Sequence, residues 1–436
     1  MKKPIVHMIG QAHLDPVWMW RWTEGRAEAL ATSQSAVDRL REYPDFHFTR
    51  GEAQIYQWIE KEDPELFSEI KDLIRQGRWH VVNGMVVQPD MNQPQGESFV
   101  RHFLLGKTYM REHLGVEPRV AYCVDSFGHA GTLPQVFKGC GFDAYVFMRP
   151  GPHEKSLPAQ AFWWEAPDGS RVLAFRITAS YGSGPRDHTE HILHAVAAKP
   201  PQLNHTMCFF GVGNHGGGPT KQQIENVQSI AQTREDIQIQ FSSPEAYFNA
   251  VLPEADELPV VADELPVVAD ELQFHAVGCY SANSALKRTH RRAECALLTA
   301  ERMAVMADLW ADMPPPQEDL RELWHDVCFN QFHDILGGCS IKEAEDEAIM
   351  AFGRVILGAR EIINDAGRAI AACIDTRGPG GAVILFNPFP YTTTQYVEYE
   401  PWTGWQNWDN ENWSLVDQER RPVVHQVVEA HDALST

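Results

Sequence analysis

The sequence predicts an α/β architecture in its first part, a helical region after it and a short β segment at the end. Three observations lead to this prediction. Apolar runs alternate with amphipathic stretches up to about residue 250, helical periodicity dominates from about 284 to 376, and alternating polar and apolar residues follow Gly378–Gly381. Strand–helix alternation is typical of a parallel sheet or barrel with its chemistry at the carboxyl ends of the strands.

Six apolar runs in the first part have the length and composition of buried strands. They are Ile5–Ile9, Arg78–Val82, Val120–Val124, Ala144–Met148, Val172–Ile177 and Met207–Val212. Amphipathic segments between them, such as Gln54–Ile59 and Phe99–Met110, predict helices. We therefore expect an α/β domain over residues 1–253.

An acidic seven-residue unit separates this domain from the helical region. The unit Ala-Asp-Glu-Leu-Pro-Val-Val occupies residues 255–261 and recurs at 262–268. Because each copy contains a proline, the repeat excludes a coiled coil and predicts an extended linker over 254–272.

The remaining sequence divides into a helical and a β part. Helical periodicity over Arg291–Leu309 and Leu320–Leu336 predicts a helical bundle at 273–378. Val383–Phe386 and Gln395–Glu400 predict β-strands within 379–436. That last segment is short for an independent β domain, so we expect it to be incomplete.

Charge and composition exclude several classes of partner. The chain has 37 basic and 59 acidic residues, a net charge of −22 that repels phosphate backbones and anionic membranes. The sequence has no apolar run typical of a signal peptide or a membrane span. Eight cysteines without a CxxC pair indicate free thiols in a reducing compartment. We expect a cytoplasmic protein, with homo-oligomer formation left open.

Polar residues directly after the first strand form one candidate site. In extended backbone, residues two apart point the same way, so His13 and Asp15 can share one target. Imidazole and carboxylate together suit zinc or a similar divalent ion. Taken alone, the pair fits better with a surface histidine and a turn-forming aspartate before Pro16.

Two further segments place polar groups where strands end or helices are buried. Asp125 follows an apolar strand, where it can be a catalytic carboxylate or the cap of the next helix. In the segment from Trp324 to Leu336, apolar residues would fall on every side of a helix, which predicts that the helix is buried. A single buried histidine is usually a core residue, but four polar residues within five positions favour a site. They are Asn330, Gln331, His333 and Asp334.

A glycine-rich loop with one histidine follows the strand at Met207–Val212. The segment Gly211–Thr220 contains His215 but lacks the lysine and the spacing of a phosphate-binding loop. A flexible turn fits this composition, although a histidine among glycines favours a loop that a ligand can approach closely.

Four motifs in this order resemble the retaining α-mannosidases of glycoside hydrolase family 38. The motifs are His13-Leu-Asp15-Pro-Val-Trp18, Gln88-Pro-Asp90-Met-Asn92-Gln-Pro-Gln-Gly-Glu97-Ser98, Asp125-Ser-Phe127-Gly-His129 and Asn330-Gln-Phe-His333-Asp334-Ile-Leu-Gly. The resemblance implies an irregular seven-stranded α/β barrel, then a helical bundle, then the beginning of a β-sandwich domain.

The resemblance also implies a site and a substrate. His13, Asp15, Asp125 and His333 match the ligands of one Zn²⁺ per chain, and Asp125 also matches the nucleophile that forms a glycosyl-enzyme. Four further positions match residues beside or in contact with the sugar: Trp18, Phe127, Arg149 and Asp334. The implied substrate is an oligosaccharide with a terminal α-mannose.

The chain departs from the family at the acid/base. Many members carry an aspartate two positions after a glycine, where this sequence reads Gly213-Asn214-His215. His215 can donate a proton near neutral pH, and Asp187 is a second candidate. Two alternatives stay open: a catalytically impaired carbohydrate-binding protein of the same fold and a zinc-dependent carbohydrate deacetylase.

Overall fold

The structure is a computed structural model that describes residues 3–184, 187–213, 215–257, 265–378, 380–399 and 414–426. Its strands form two five-stranded sheets. The first sheet is parallel and contains β1 (Ile5–Gln11), β2 (Phe48–Arg50), β3 (Trp79–Val81), β8 (His205–Phe210) and β9 (Gln238–Phe241). The second contains β4 (Val120–Cys123), β5 (Ala144–Phe147), β6 (Ala161–Glu165), β7 (Arg171–Arg176) and β10 (Val267–Val268), with β6 antiparallel to β7.

Within the described residues, eight α-helices lie between the strands, and four follow the last strand. The first eight are α1 (Trp22–Glu42), α2 (Ala53–Glu62), α3 (Pro64–Arg75), α4 (Gly96–Tyr109), α5 (Leu133–Gly139), α6 (Thr189–Ala198), α7 (Lys221–Thr233) and α8 (Pro244–Glu257). The last four are α9 (Ser284–Ala311), α10 (Gln317–Asn330), α11 (His333–Leu336) and α12 (Lys342–Ala372). Helices α9, α10 and α12 pack together around a core that also includes Val17, Val86 and Val87 of the α/β part. None of the helices described here has the length and apolarity to span a bilayer.

The two sheets share one apolar interior. Ile9 and Phe209 of the first sheet belong to the same buried cluster as Tyr122, Val146 and Phe175 of the second. The sheets also approach each other in the backbone, because Asn83 N donates to Val120 O at 2.9 Å. The predicted α/β class is therefore confirmed. Hydrogen bonding among the described strands closes no ring, so the seven-stranded barrel is not found as such.

All six predicted strands are present, but the structure corrects two other predictions. The helix predicted over Leu320–Leu336 ends at Asn330, because Phe332 is extended and pairs with Pro89 before His333 starts a new helix. The predicted strands at Val383–Phe386 and at 395–399 are irregular backbone. A strand needs a hydrogen-bonding neighbour, and no strand of the described residues pairs with them. Glu400 lies outside the described residues.

The predicted linker is only partly an extended segment. Helix α8 continues to Glu257, and Val267–Val268 add a short parallel strand to β6. Residues 258–264, which hold the middle of the repeat, lie outside the described residues.

We predict that Gly25→Ala destabilises the protein. A Cβ at Gly25 would lie 2.1 Å from Pro16 O, so α1 could not pack on the backbone next to Asp15 without a shift. Overpacking of this kind costs about 1–3 kcal/mol. Urea unfolding measures the effect. The control is Gly353→Ala in α12, where a Cβ meets open space and alanine should stabilise by about 0.5–1 kcal/mol. Equal stability of the two variants would contradict this packing.

Candidate metal centre and active site

Four buried side chains from distant parts of the chain meet at one point. His13 and Asp15 follow β1, Asp125 follows β4, and His333 begins α11. Each offers one ligand atom, and these atoms lie within 4.8 Å of one another. Their exposed fractions are between 0% and 7%. The structure thus brings together all four residues that the sequence singled out as metal ligands.

The distances within this group leave room for an ion. His13 Nε2 lies 2.8 Å from Asp15 Oδ1 and 3.8 Å from Asp125 Oδ2. His333 Nε2 lies 3.6 Å from Asp15 Oδ1 and 3.8 Å from Asp125 Oδ2. The two His333 distances and the one from His13 to Asp125 exceed a hydrogen bond. A metal ion with ligand bonds of about 2.0–2.2 Å fits between such atoms.

The tautomer of His333 points to metal binding. Its Nδ1 donates to Gln88 O at 2.8 Å, which leaves a lone pair on Nε2. That Nε2 is buried and has no hydrogen-bond partner among the described residues. Metal-binding histidines usually show this pattern, one nitrogen hydrogen-bonded to a carbonyl and the other free for the ion. Two imidazoles and two carboxylates suit zinc and related divalent ions. The residues therefore fit a metal.

The electrostatics of the four side chains support the same interpretation. Burial alone would raise the pKa of Asp125, but His333, His13 and Arg149 lower that pKa overall. Burial alone would lower the pKa of His333, but the neighbouring carboxylates of Asp125 and Asp15 raise it well above its usual value. A proton and a metal ion compete for the same imidazole nitrogen, so we expect metal affinity to rise with pH.

Gln88 holds three parts of this site together. Besides the bond to His333, its Oε1 accepts from Val124 N at 2.9 Å, next to Asp125. Its Nε2 donates to the buried Glu52. Sequence reasoning placed Gln88 in a family motif and assigned it no role. Its signal was weak, because nothing local shows that its carbonyl meets a histidine 245 positions away.

A buried polar network attaches the helical region to the α/β domain. Gln331 Oε1 pairs with His102 of α4 at 3.1 Å, and Gln331 Nε2 donates to Glu294 of α9 at 3.0 Å. Glu294 also accepts from Ser98 Oγ at 2.6 Å. The backbone adds a bond from Asp90 N to Gln331 O at 2.9 Å. Since Gln331 lies two residues before His333, this network sets where His333 enters the site.

Arg149 and Phe127 lie beside Asp125. Arg149 Nε donates to Asp125 Oδ1 at 2.6 Å. The Phe127 ring lies 5.8 Å from the His333 ring and 6.0 Å from the Arg149 guanidinium carbon. The structure therefore places both predicted substrate-binding residues at the group of four.

Asp334 and Trp18 flank the same region. Asp334 is buried and accepts from Cys339 Sγ at 3.1 Å, and burial raises the pKa of Asp334 to about 7. Trp18 is half-buried, and its ring lies 5.7 Å from that of Trp20. Tyr181, which sequence reasoning missed, lies with its ring 5.0 Å from that of His13.

The two candidate proton donors have different surroundings. His215 is exposed, its ring lies 5.0 Å from that of Trp20, and its backbone pairs with Leu14 between His13 and Asp15. Asp187 is held by Thr189, whose N and Oγ1 donate to it at 3.0 Å and 2.8 Å. These bonds lower the pKa of Asp187, which favours a helix-capping carboxylate over a proton donor.

Comparison with known proteins identifies the family. A model described as the glycosyl hydrolases family 38 N-terminal domain matches residues 3–271, and the alpha mannosidase middle domain matches residues 273–370. Since the first match alone covers more than half of the sequence, the chain belongs to glycosyl hydrolase family 38.

Several relatives share most of this chain. Alpha-mannosidase 2C1 of Homo sapiens is 29% identical over 391 residues, which are 88% of this chain and 36% of the relative. Alpha-mannosidase G of Dictyostelium discoideum is 28% identical over 392 residues, 89% of this chain and 34% of the relative. The chain thus spans about a third of the length of these relatives.

A solved structure shares the fold. The crystal structure of an alpha-mannosidase from Enterococcus faecalis matches this chain with a TM-score of 0.76 and 21% identity. The match covers 86% of this chain and 43% of the Enterococcus faecalis chain.

We predict that His333→Ala weakens zinc binding by at least about 100-fold, because it removes one of four ligands. Chelator competition and metal analysis by mass spectrometry measure the loss. The matched control is His325→Ala in α10. The Nε2 of His325 pairs with Gln57 Oε1 at 3.1 Å, away from the four candidate ligands. Zinc affinity that is unchanged in His333→Ala, or lost equally in both variants, would show that the ion binds elsewhere.

Proposed function

We propose that this chain is the catalytic part of a retaining α-mannosidase that removes terminal α-mannose from oligosaccharides. The observation that carries the proposal is the position of Asp125. One of its oxygens faces the candidate metal centre, 3.8 Å from both His13 Nε2 and His333 Nε2, and the other accepts from Arg149 at 2.6 Å. Relatives named alpha-mannosidase that share most of the chain support the substrate class.

Asp125 has the properties of a nucleophile. The surrounding cations hold its pKa below the usual range, so the carboxylate is ionised at neutral pH. Arg149 and the histidines orient it without covering it, since 7% of the residue stays exposed in an otherwise buried group. A retaining glycosidase uses such a carboxylate to form a glycosyl-enzyme that water then hydrolyses.

We infer that His13, Asp15, Asp125 and His333 bind one zinc ion. A bound zinc ion supplies a Lewis acid that can bind and orient sugar hydroxyls. Trp18 and Phe127 supply apolar surface beside the sugar, and Asp334 and Arg149 supply hydrogen-bonding groups.

We infer that His215 is the acid/base. It lies on the glycine-rich loop, and its backbone pairing with Leu14 brings it next to the segment that carries His13 and Asp15. Imidazole can both donate and accept a proton near neutral pH. The capping bonds of Asp187 make that carboxylate the weaker candidate.

We further propose a cytoplasmic location and a division into an α/β-barrel domain at 1–253, a helical bundle at 273–378 and a further unit at 379–436. The eight free cysteines support a reducing compartment. The shared apolar interior of the two sheets supports a barrel-like arrangement.

We predict that the chain hydrolyses 4-nitrophenyl α-mannoside and that Asp125→Asn lowers kcat on the order of 10⁴-fold, because the amide cannot attack the anomeric carbon. Chelation should abolish the activity and added zinc should restore it. The control is Asp236→Asn, which changes an exposed carboxylate paired with Arg234. An Asp125→Asn enzyme with wild-type turnover would exclude this nucleophile. Zinc-dependent acetate release from acetylated sugars without mannoside hydrolysis would favour the deacetylase.

We predict that the effect of His215→Ala depends on the leaving group. Methyl α-mannoside needs a protonated leaving group, so its hydrolysis should fall by about 10²–10⁴-fold. The 2,4-dinitrophenyl mannoside needs no proton and should react nearly as in the wild type. Asp187→Asn, measured alongside, should affect both substrates little. If the leaving-group dependence appears with Asp187→Asn instead, the acid/base is Asp187.

A further inference from the structure

His275 is a polar residue beside the candidate active site with no role so far. It lies between β10 and α9, just beyond the start of the second family match at residue 273. Its Nε2 lies 2.9 Å from Arg149 Nη1, and its Nδ1 lies 2.6 Å from Glu154 Oε1. Its ring lies 5.4 Å from that of Phe127. The imidazole therefore joins Arg149 to Glu154.

The chemistry of the two partners determines the tautomer of His275. A guanidinium has only donors, so Nε2 must accept from Arg149 Nη1 with its lone pair. An ionised carboxylate has only acceptors, so Nδ1 must carry the proton and donate to Glu154. His275 is thus a neutral imidazole with one defined orientation. Glu154 is itself anchored, because Gly151 N donates to its Oε2 at 2.7 Å.

Arg149 links His275 to Asp125. Its Nε donates to Asp125 Oδ1 at 2.6 Å, and its backbone oxygen accepts from His129 Nε2 at 2.8 Å. The side chain is 29% exposed. A partly exposed arginine has several rotamers in reach and loses considerable entropy when held in one. Contacts at both Nε and Nη1 restrict the guanidinium to the rotamer that holds Asp125.

We propose that His275, oriented by Glu154, is a positioning residue that sets the guanidinium of Arg149 against Oδ1 of Asp125. This inference rests on the proposed function, because it assigns the three residues to the orientation of the nucleophile. Asp125 Oδ2 faces the histidines, so the direction of attack depends on how Oδ1 is held. The first residues of the helical region, which begins at residue 273, would then complete the active site from outside the α/β domain.

The alternative is that His275 makes a structural contact only, at the rim of the candidate active site. Exposed ion pairs there contribute little to the stability of the fold. The two interpretations differ in what each substitution changes. A structural contact affects folding and metal content. A positioning contact affects the catalytic step, needs Arg149 to act, and is preserved by any side chain that accepts from Arg149 and donates to Glu154.

The test compares His275→Leu and His275→Gln in the zinc-loaded full chain, with 4-nitrophenyl α-mannoside as substrate. We expect His275→Leu to lower kcat by about 10–100-fold, as for other residues that orient reacting groups, with KM, zinc content and melting temperature close to the wild type. Glutamine can accept with its oxygen and donate with its nitrogen, so His275→Gln should recover most of kcat. In an Arg149→Met background, His275→Leu should have little further effect.

If the wild type hydrolyses the mannoside, three results would overturn the positioning role. They are a wild-type kcat in His275→Leu, an equal loss in His275→Gln, and an undiminished effect of His275→Leu without Arg149. A zinc-loaded wild type that does not hydrolyse α-mannosides would overturn the proposed function, and the positioning role with it. The two failures are therefore distinguishable.

Discussion

Two carboxylates and two imidazoles, buried within 4.8 Å of one another, impose the constraint on which this structure depends. Each ionised group removed from water costs several kcal/mol unless close partners compensate for the loss. Part of the compensation comes from within the group, since the histidines lower the pKa of Asp125 and the carboxylates raise that of His333. A divalent cation would supply the same positive charge at one point. The fold must hold the four groups close enough together for this compensation to occur.

The α/β domain and the helical region each contribute part of this arrangement. The carboxyl ends of β1 and β4, which belong to different sheets, place three of the groups. Chemistry at the carboxyl ends of strands is typical of α/β folds. The fourth comes from the helical region, where the interruption between α10 and α11 lets Phe332 pair with Pro89. Gln88 then accepts from His333 with its backbone and supports Val124 with its side chain. The candidate metal centre is therefore also a junction between the two family segments.

The polar groups around the centre form two networks with different functions. The network of Gln331 and Glu294 is deeply buried and attaches helices α4 and α9 to the segment before His333. The contacts of Arg149, His275 and Glu154 are partly exposed and end at the carboxylate of Asp125. Burial suits the first network, which has to keep distant parts of the chain in register. Partial exposure leaves the second within reach of solvent.

The sequence by itself determined the features that depend on near neighbours. Apolar runs predicted all six strands proposed, because a buried parallel strand needs little beyond its own composition. The spacing of His13 and Asp15 indicated that they can share one target, and their nitrogen and oxygen lie 2.8 Å apart. The pair taken alone favoured a surface histidine and a turn, but both side chains are buried. Family motifs selected the other two members of the group. Short strands such as β2 and β10 carry too few residues to show a pattern and were not predicted.

Only the tertiary structure decided the features that depend on partners far along the chain. The break after Asn330 exists because Phe332 meets Pro89, which no local pattern records. The β-like segments near residues 383 and 395 stay irregular because alternation cannot replace a neighbouring strand. Gln88 contacts the imidazole of His333, 245 positions away, and His275 contacts the guanidinium of Arg149, 126 positions away. Hydrogen bonds over such separations are set by the packing of whole elements, and local sequence carries little information about them.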